Sequence, residues 1–447
     1  MTIPDNQANT GSGEADPAKH TSFEPRHASV AVDTRKDTKG PASGGREPVL
    51  SVRNLVKHFP IRSKGILRRK IGDVHAVCDV SFDIYENETL CIVGESGCGK
   101  TTTGRLVLNL IPATAGSIIW QGHDLTQISN RKMRPLRRDM QIVFQDPFAS
   151  LDPRMTVNEL VAEPLRIHGQ YGSRENGRTQ VKELLAQVGL NPEHGARYSH
   201  EFSGGQRQRI GIARALALKP KLLVLDEPVS ALDVSIQAGV INLLADLQAE
   251  LGLAYMFISH DLSVIRHIAN RVVVMYLGKV VETADADELF RRPSHPYTQA
   301  LMSAIPLPDP IKERERKRIL LTGDVPSPIN PPSGCRFRTR CPKFRDELSN
   351  SQREWCVNVE PILEAKFDAH TAACHFAAAR TDILEIGVSR SAEPAALANW
   401  PTSRPTDEQA SKPMVCLPGA AALVPQRLGD DVVVDAEGEL VVEGEQS

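Results

Sequence analysis

The residues around position 100 have the types and spacing to hold a polyphosphate. Gly94-Glu95-Ser96-Gly97-Cys98-Gly99-Lys100-Thr101 satisfies the pattern Gly-x4-Gly-Lys-Ser/Thr. Glycines let successive backbone N–H groups curl around phosphate oxygens, and a helix opening at the end of the loop adds a favourable dipole. In such a loop Lys100 reaches the β- and γ-phosphates and the Thr101 hydroxyl ligates Mg²⁺, with Thr102 beside it. A second run, Leu222-Leu223-Val224-Leu225-Asp226-Glu227-Pro228, reads as a buried strand ending in two acids. Asp226 is placed for the Mg²⁺ shell and Glu227 for polarising an attacking water. In-line phosphoryl transfer needs positioning and charge neutralisation, so one acid per task suffices. The plain alternatives are a chance glycine-rich turn and two acids that only cap a turn. Context disfavours both: a strand ending at Val93 precedes the loop, and Thr102-Thr103-Gly104-Arg105-Leu106 opens a helix.

The elements that must position these groups are legible as alternating short apolar runs and helical patterns from about Pro48 to about residue 305. Leu90–Val93, Gln141–Phe144, Leu222–Leu225 and Tyr255–Ile258 are the clearest strands. Continuous apolar runs between helices predict a largely parallel sheet covered on both faces. Residues 1–47 and 379–447 are poor in large apolar side chains and read as tails, with a hairpin expected around Ala436-Glu437-Gly438. Residues 326–334 read as a stiff linker. Lys and Arg total 53 against 55 Asp and Glu, so charge gives no sign of a nucleic-acid partner. A run of 18 apolar residues is absent and the N-terminus is polar, so neither a membrane span nor a secretory leader is expected. Eight cysteines are then expected as reduced thiols or metal ligands.

Phe202-Ser203-Gly204-Gly205-Gln206-Arg207 narrows the reading. Small residues and free N–H groups at a helix start make a second anion site, and the helix is expected over Gln208–Leu218. Here the chain resembles the nucleotide-binding domains of ABC ATPases, whose signature is Ser-Gly-Gly-Gln. The resemblance implies that Ser203, Gly204, Gly205 and Gln206 close over ATP held on a partner's phosphate loop. Gln145 resembles the family's Q-loop glutamine, which senses Mg²⁺ and the attacking water. Ser230-Ala231-Leu232-Asp233 resembles the D-loop, and His260 the switch histidine that contacts the γ-phosphate. Phe59, in Val56-Lys57-His58-Phe59-Pro60, resembles the aromatic that stacks on adenine; an ordinary half-buried strand aromatic is the alternative. The implied fold is the α/β P-loop NTPase of ABC type: a mostly parallel sheet with an antiparallel β subdomain, a helical subdomain and a small Cys-containing extension. The implied organisation is tail 1–47, cassette 48–305, extension 306–378 and tail 379–447.

Four runs resemble those of the oligopeptide and dipeptide importer ATPases: Gly94-Glu95-Ser96-Gly97-Cys98-Gly99-Lys100, Val143-Phe144-Gln145-Asp146-Pro147, His295-Pro296-Tyr297-Thr298-Gln299-Ala300-Leu301, and Gly323-Asp324-Val325-Pro326-Ser327-Pro328 followed by Gly334-Cys335. A basic insert follows Phe59 (Arg62, Lys64, Arg68, Arg69, Lys70) and reads as a solvated loop. Membership implies an ATPase that couples hydrolysis to peptide uptake. It also implies a second cassette (copy or paralogue), two membrane permease subunits, an extracytoplasmic binding protein, and a peripheral place at the cytoplasmic face of the inner membrane. Nickel chelates or glycans are alternative cargoes, and a soluble non-transport ABC ATPase is the reading from another class. Cys335, Cys341, Cys356 and Cys374 are spaced too widely for paired zinc knuckles and miss the bacterial ferredoxin run. Phe337, Phe344, Trp355 and Phe376 make a thin core, so a metal staple is physically plausible. The resemblance implies a [4Fe–4S] cluster on these four cysteines. Structural zinc, with His370 or His375 replacing a thiolate, and plain thiols remain open.

Overall fold

The computed structural model describes residues 46–63, 69–306, 310–315, 318–367, 369–384, 432–434 and 440–442. Its centre is an eight-stranded sheet. In spatial order the strands are Glu364–Phe367, His370–Ala372, Lys279–Asp285, Arg271–Tyr276, Thr89–Val93, Ala254–Ser259, Leu222–Asp226 and Met140–Val143. The last five run parallel and the first three join antiparallel. The parallel strands read as unbroken apolar runs because both faces are covered. Cys91, Val93, Leu223, Leu225, Tyr255 and Phe257 enter one core with the helices. Their neighbours Leu90, Ile92, Leu222, Val224, Met256 and Ile258 enter the other, under the second sheet. That second sheet is antiparallel, in the order Lys70–Ile84, Leu50–Arg62, Ala115–Trp120, His123–Asp124.

Between Gln145 and the acidic strand lie the helices Val157–Ile167, Arg174–Gln187 and Gly204–Leu216. Thr156 starts the first with a reciprocal capping box to Glu159. The mostly parallel sheet, the antiparallel sheet and the helical region are thus all present as expected. Three details differ from expectation. The signature helix begins at Gly204 instead of Gln208, because Ser203 and Gln206 cap it reciprocally. Phe144 falls just past its strand. The four aromatics beyond the cassette do not share one thin core. Phe337 is 2 % exposed and packs against Tyr276 and Tyr297 inside the large core, whereas Trp355 is 57 % exposed. In addition, Glu282 pairs with Ala372, so the two strands between Cys356 and Cys374 continue the central sheet. Strands Val432–Val434 and Leu440–Val442 pair antiparallel around the expected hairpin; its turn, like Lys64, Arg68 and the N-terminal tail, lies outside the described residues.

Candidate functional site

The phosphate loop leaves the buried strand Thr89–Val93 and enters the helix Lys100–Val107. Two of its glycines are dictated by crowding. A Cβ on Gly94 would lie 2.2 Å from the Met275 carbonyl oxygen, and one on Gly99 2.3 Å from that of Ala76. Both also have positive φ, 152° and 106°, which glycine adopts without penalty. Lys100 is 4 % exposed; its Nζ donates to the carbonyls of Gly94 (2.8 Å) and Glu95 (3.0 Å). The Thr101 hydroxyl donates to Asp226 Oδ1 at 2.8 Å. Burial pushes the Asp226 carboxyl above the usual carboxylate range, against the opposing hydrogen bond from Thr101.

Glu227 is where the site converges. Gln145 Nε2 donates to its Oε2 at 3.0 Å, His260 Nδ1 lies 3.2 Å from the same oxygen, and Lys100 Nζ is 4.0 Å from Oε1. The hydrogen bond with His260 holds Glu227 below the ordinary carboxylate range and raises His260 above the ordinary imidazole range. The Glu227 backbone is left-handed at φ 45°, a conformation costing a non-glycine residue about 1–3 kcal/mol. It is held there by its N–H to the Ile258 carbonyl (3.0 Å) and by the Ser230 hydroxyl on its own carbonyl (3.1 Å). Gln145 therefore meets Glu227 and not the Thr101–Asp226 pair. The surrounding cavity measures about 660 Å³ and is lined by Ser96, Gly97, Gly99, Lys100, Thr101 and Thr102 of the loop together with Gln145, Glu227 and His260.

The remaining candidates lie elsewhere. Ser203, Gln206 and Asp233 are exposed and are not among the residues lining that cavity. Gly205 is buried, because a Cβ there would meet Ile236 at 2.3 Å. The start of the signature helix thus packs directly on the helix Val234–Leu251 that follows Asp233. Cys98 is 4 % exposed and belongs to the core beneath the loop, its thiol pushed up by burial. Phe59 pairs across the hairpin with Val74, and Val74 and Ala76, not Phe59, line the cavity. Lys57 Nζ sits 4.8 Å from the Phe59 ring centroid.

Three contributors, Tyr297, Pro328 and Arg340, carried no sequence signal of a role at this site. Glu95 is gripped by Arg340, which donates to its carboxylate at 2.6 and 3.1 Å, and the Glu95 N–H donates to the Tyr297 hydroxyl at 2.9 Å. Pro328 also lines the cavity. These partners follow Glu95 by some 200 residues or more, so only the fold brings them to it.

Beyond the cassette, Cys335, Cys341, Cys356 and Cys374 all line one small cavity, together with Phe337 and His375. All four are free thiols. Burial pushes Cys335 up to about 12 and Cys341 up to about 11, and raises the other two as well. His370 is committed elsewhere: its Nε2 lies 2.6 Å from the fully buried Glu282. It is therefore not placed to replace a thiolate. A convergent set of four thiols, Cys356 buried and the other three partly buried, fits a thiolate-ligated metal group.

Comparison with known proteins agrees with this geometry. Residues 77–230 match the ABC transporter family and residues 281–347 the C-terminal region of oligopeptide/dipeptide transporters. The chain is 52 % identical over 334 residues to the oligopeptide transport ATP-binding protein AppF of Bacillus subtilis (strain 168), covering 74 % of this chain and 98 % of that one. It is 52 % identical over 330 residues to OppF of Salmonella typhimurium (strain LT2), covering 74 % and 96 %. With OppF of Escherichia coli (strain K12) the identity is 51 % over 331 residues, with the same coverage. A chain identical to such proteins at about half of the aligned positions, over nearly their full length, belongs to their family: it is an ABC transporter ATP-binding protein of the oligopeptide/dipeptide branch.

Proposed function

We propose that the chain is the ATP-hydrolysing subunit of an importer that takes up peptides, working with membrane permease subunits, a second cassette and an extracytoplasmic binding protein. The observation that carries the catalytic part is the convergence of Gln145, His260 and Lys100 on the Glu227 carboxylate beside the Thr101–Asp226 pair. In this reading Glu227 accepts the proton of the attacking water. Gln145 and His260 hold that carboxylate ionised and aimed, and Lys100 binds the terminal phosphates. Thr101 and Asp226 would hold Mg²⁺, which supplies charge neutralisation on the phosphate oxygens. A cation there also offsets the burial that raises the Asp226 carboxyl. Phe59, across the hairpin from the cavity-lining Val74, would offer adenine a stacking face.

Ser203–Gln206 and Asp233 act on ATP held by the partner cassette. Their exposure supports this, since one chain then carries half of each of two sites. Exposed Phe144 and Phe148 and a cavity of about 270 Å³ lined by Phe144, Pro147, Glu163 and Ile167 offer a dock for the permease. No helix among the described residues is long and apolar enough to cross a membrane, which supports a peripheral place at its cytoplasmic face. The functional test is uptake of a labelled peptide by cells deleted for this gene. Wild type should restore uptake and Glu227→Gln should not; restoration by both would overturn the assignment.

For the four cysteines we favour a [4Fe–4S] cluster over a single zinc ion. A tetrahedral zinc–thiolate site places its sulfurs about 3.8 Å apart, from a Zn–S length of about 2.3 Å. No three of these sulfurs lie within 4.8 Å of one another among the described residues, which suits a group larger than one ion better than it suits zinc. The cluster would brace the extension, and its cationic core would offset the charge of thiolates that burial otherwise keeps protonated. Anaerobic purification should give brown protein with about four irons per chain. Colourless protein with one zinc or no metal eliminates the cluster.

A further inference from the structure

The hairpin flanking the nucleotide cavity carries a second group of metal-ligating side chains, none of them given a role above. His58 and His75 face each other directly across the strands Leu50–Arg62 and Lys70–Ile84, and Cys78 follows His75 in the second strand. His58 Nε2 lies 3.2 Å from His75 Nδ1 and 3.7 Å from Cys78 Sγ. The three donor atoms all fall within 4.8 Å of one another, the sole such group of His, Cys and acidic side chains among the described residues.

The two separations from His58 Nε2 are close to those a tetrahedral ion imposes. Zn–N lengths of about 2.0–2.1 Å and a Zn–S length of about 2.3 Å require an N···N edge of about 3.3 Å and an N···S edge of about 3.6 Å. Two imidazoles and one thiolate also have the softness that selects zinc and its first-row neighbours over Mg²⁺. The donors are held by the fold. Cys78 is 6 % exposed and its backbone N–H donates to the Gly278 carbonyl at 2.8 Å. The His75 backbone N–H donates to Pro328 at 3.0 Å. Both histidines are only partly buried, which leaves a route for an ion to enter.

We propose that His58 Nε2, His75 Nδ1 and Cys78 Sγ form a three-ligand site for a thiophilic divalent ion, zinc foremost, with the fourth position open to water. On binding, the Cys78 thiol loses its proton to solvent, and the ring that donates in the imidazole–imidazole hydrogen bond shifts its proton through solvent to its other nitrogen, so that both facing lone pairs meet the ion. The ion would pin the two strands together beside Phe59, Val74 and Ala76, on the adenine side of the cavity. This site is separate from the Mg²⁺ that accompanies ATP and from the four C-terminal thiols.

Cobalt is the probe, because tetrahedral thiolate-bound cobalt shows a charge-transfer band that zinc removes on exchange. The full-length chain carrying Cys335→Ser and Cys374→Ser isolates the hairpin from the C-terminal thiols. In that background one cobalt per chain should bind with a charge-transfer band. Cys78→Ser should abolish the band, and His75→Gln should weaken cobalt binding roughly tenfold or more. As a second measurement, metal analysis of the otherwise wild-type chain should show one zinc fewer per chain in His75→Gln. No band in the isolating background, a band that survives Cys78→Ser, or equal zinc in wild type and His75→Gln would overturn the proposal.

Discussion

The phosphate-loop half of the site and the signature half differ in how complete they are within one chain. At the phosphate loop nearly every polar group already has a partner: Lys100 on two carbonyls, Thr101 on Asp226, and Gln145 and His260 on Glu227. At the signature, the Ser203 and Gln206 side chains satisfy only their own helix end. They stand exposed with Asp233, and Val234 beside them is 81 % exposed. The first half is preorganised for a ligand. The second is finished only by another molecule. Such an asymmetry is what couples nucleotide to assembly: ATP shifts an equilibrium toward the closed dimer only by the extra contacts it makes there.

The sharpest test of this contrast is Glu227→Gln. Removing the hub carboxylate should cut turnover in the assembled transporter by roughly 10²- to 10⁴-fold while ATP still binds. Near-normal turnover by steady-state phosphate release would break the account of this half. Lys100→Ala should come next, weakening ATP binding by roughly 10- to 100-fold through loss of a charge-assisted contact worth about 1.5–3 kcal/mol. Isothermal titration of the dilute chain measures it, and an unchanged affinity would contradict the role given to Lys100.

Ser203→Ala should behave differently. It removes a helix cap worth about 1 kcal/mol, visible as a lowered denaturation midpoint, yet leaves ATP affinity of the dilute chain unchanged. A loss of affinity like that of Lys100→Ala would show that the two halves are not separate. The smallest effect is a titration. His260 should titrate above the usual imidazole value of about 6.5 by NMR and fall back toward it in Glu227→Gln. The sign follows from both partners. The raised imidazole makes the pair stabilising below about pH 6.5, fading as pH rises through the His260 value. The depressed carboxylate withdraws that contribution again at acid pH.

The parallel strands and the nucleotide motifs were legible because each is local. Leu222–Asp226 announces itself by an unbroken apolar run, and the phosphate loop by glycines that crowding demands. The helix start at Gly204 was hidden by its glycine pair, and only the Ser203–Gln206 capping box explains it. What stayed illegible depends on long-range pairing. Nothing in His370–Ala372 says that it will extend the central sheet beside Lys279–Asp285. Nothing in His58, His75 and Cys78 says that a hairpin register will gather them. Phe337 looked like part of a thin separate core until Tyr276 and Tyr297 claimed it.

The grip of Arg340 on Glu95 has a practical consequence for anyone who would shorten this protein. A minimal cassette cut after Ser303 would look intact by every motif, yet it would lose the guanidinium that neutralises a carboxylate inside the phosphate loop. The loop would then present an extra uncompensated negative charge close to where phosphates bind, and repel them. Such a fragment would report an ATP affinity of its own making. The same holds for chimaeras: a phosphate loop bearing Glu95 should be moved only together with the segment that supplies Arg340.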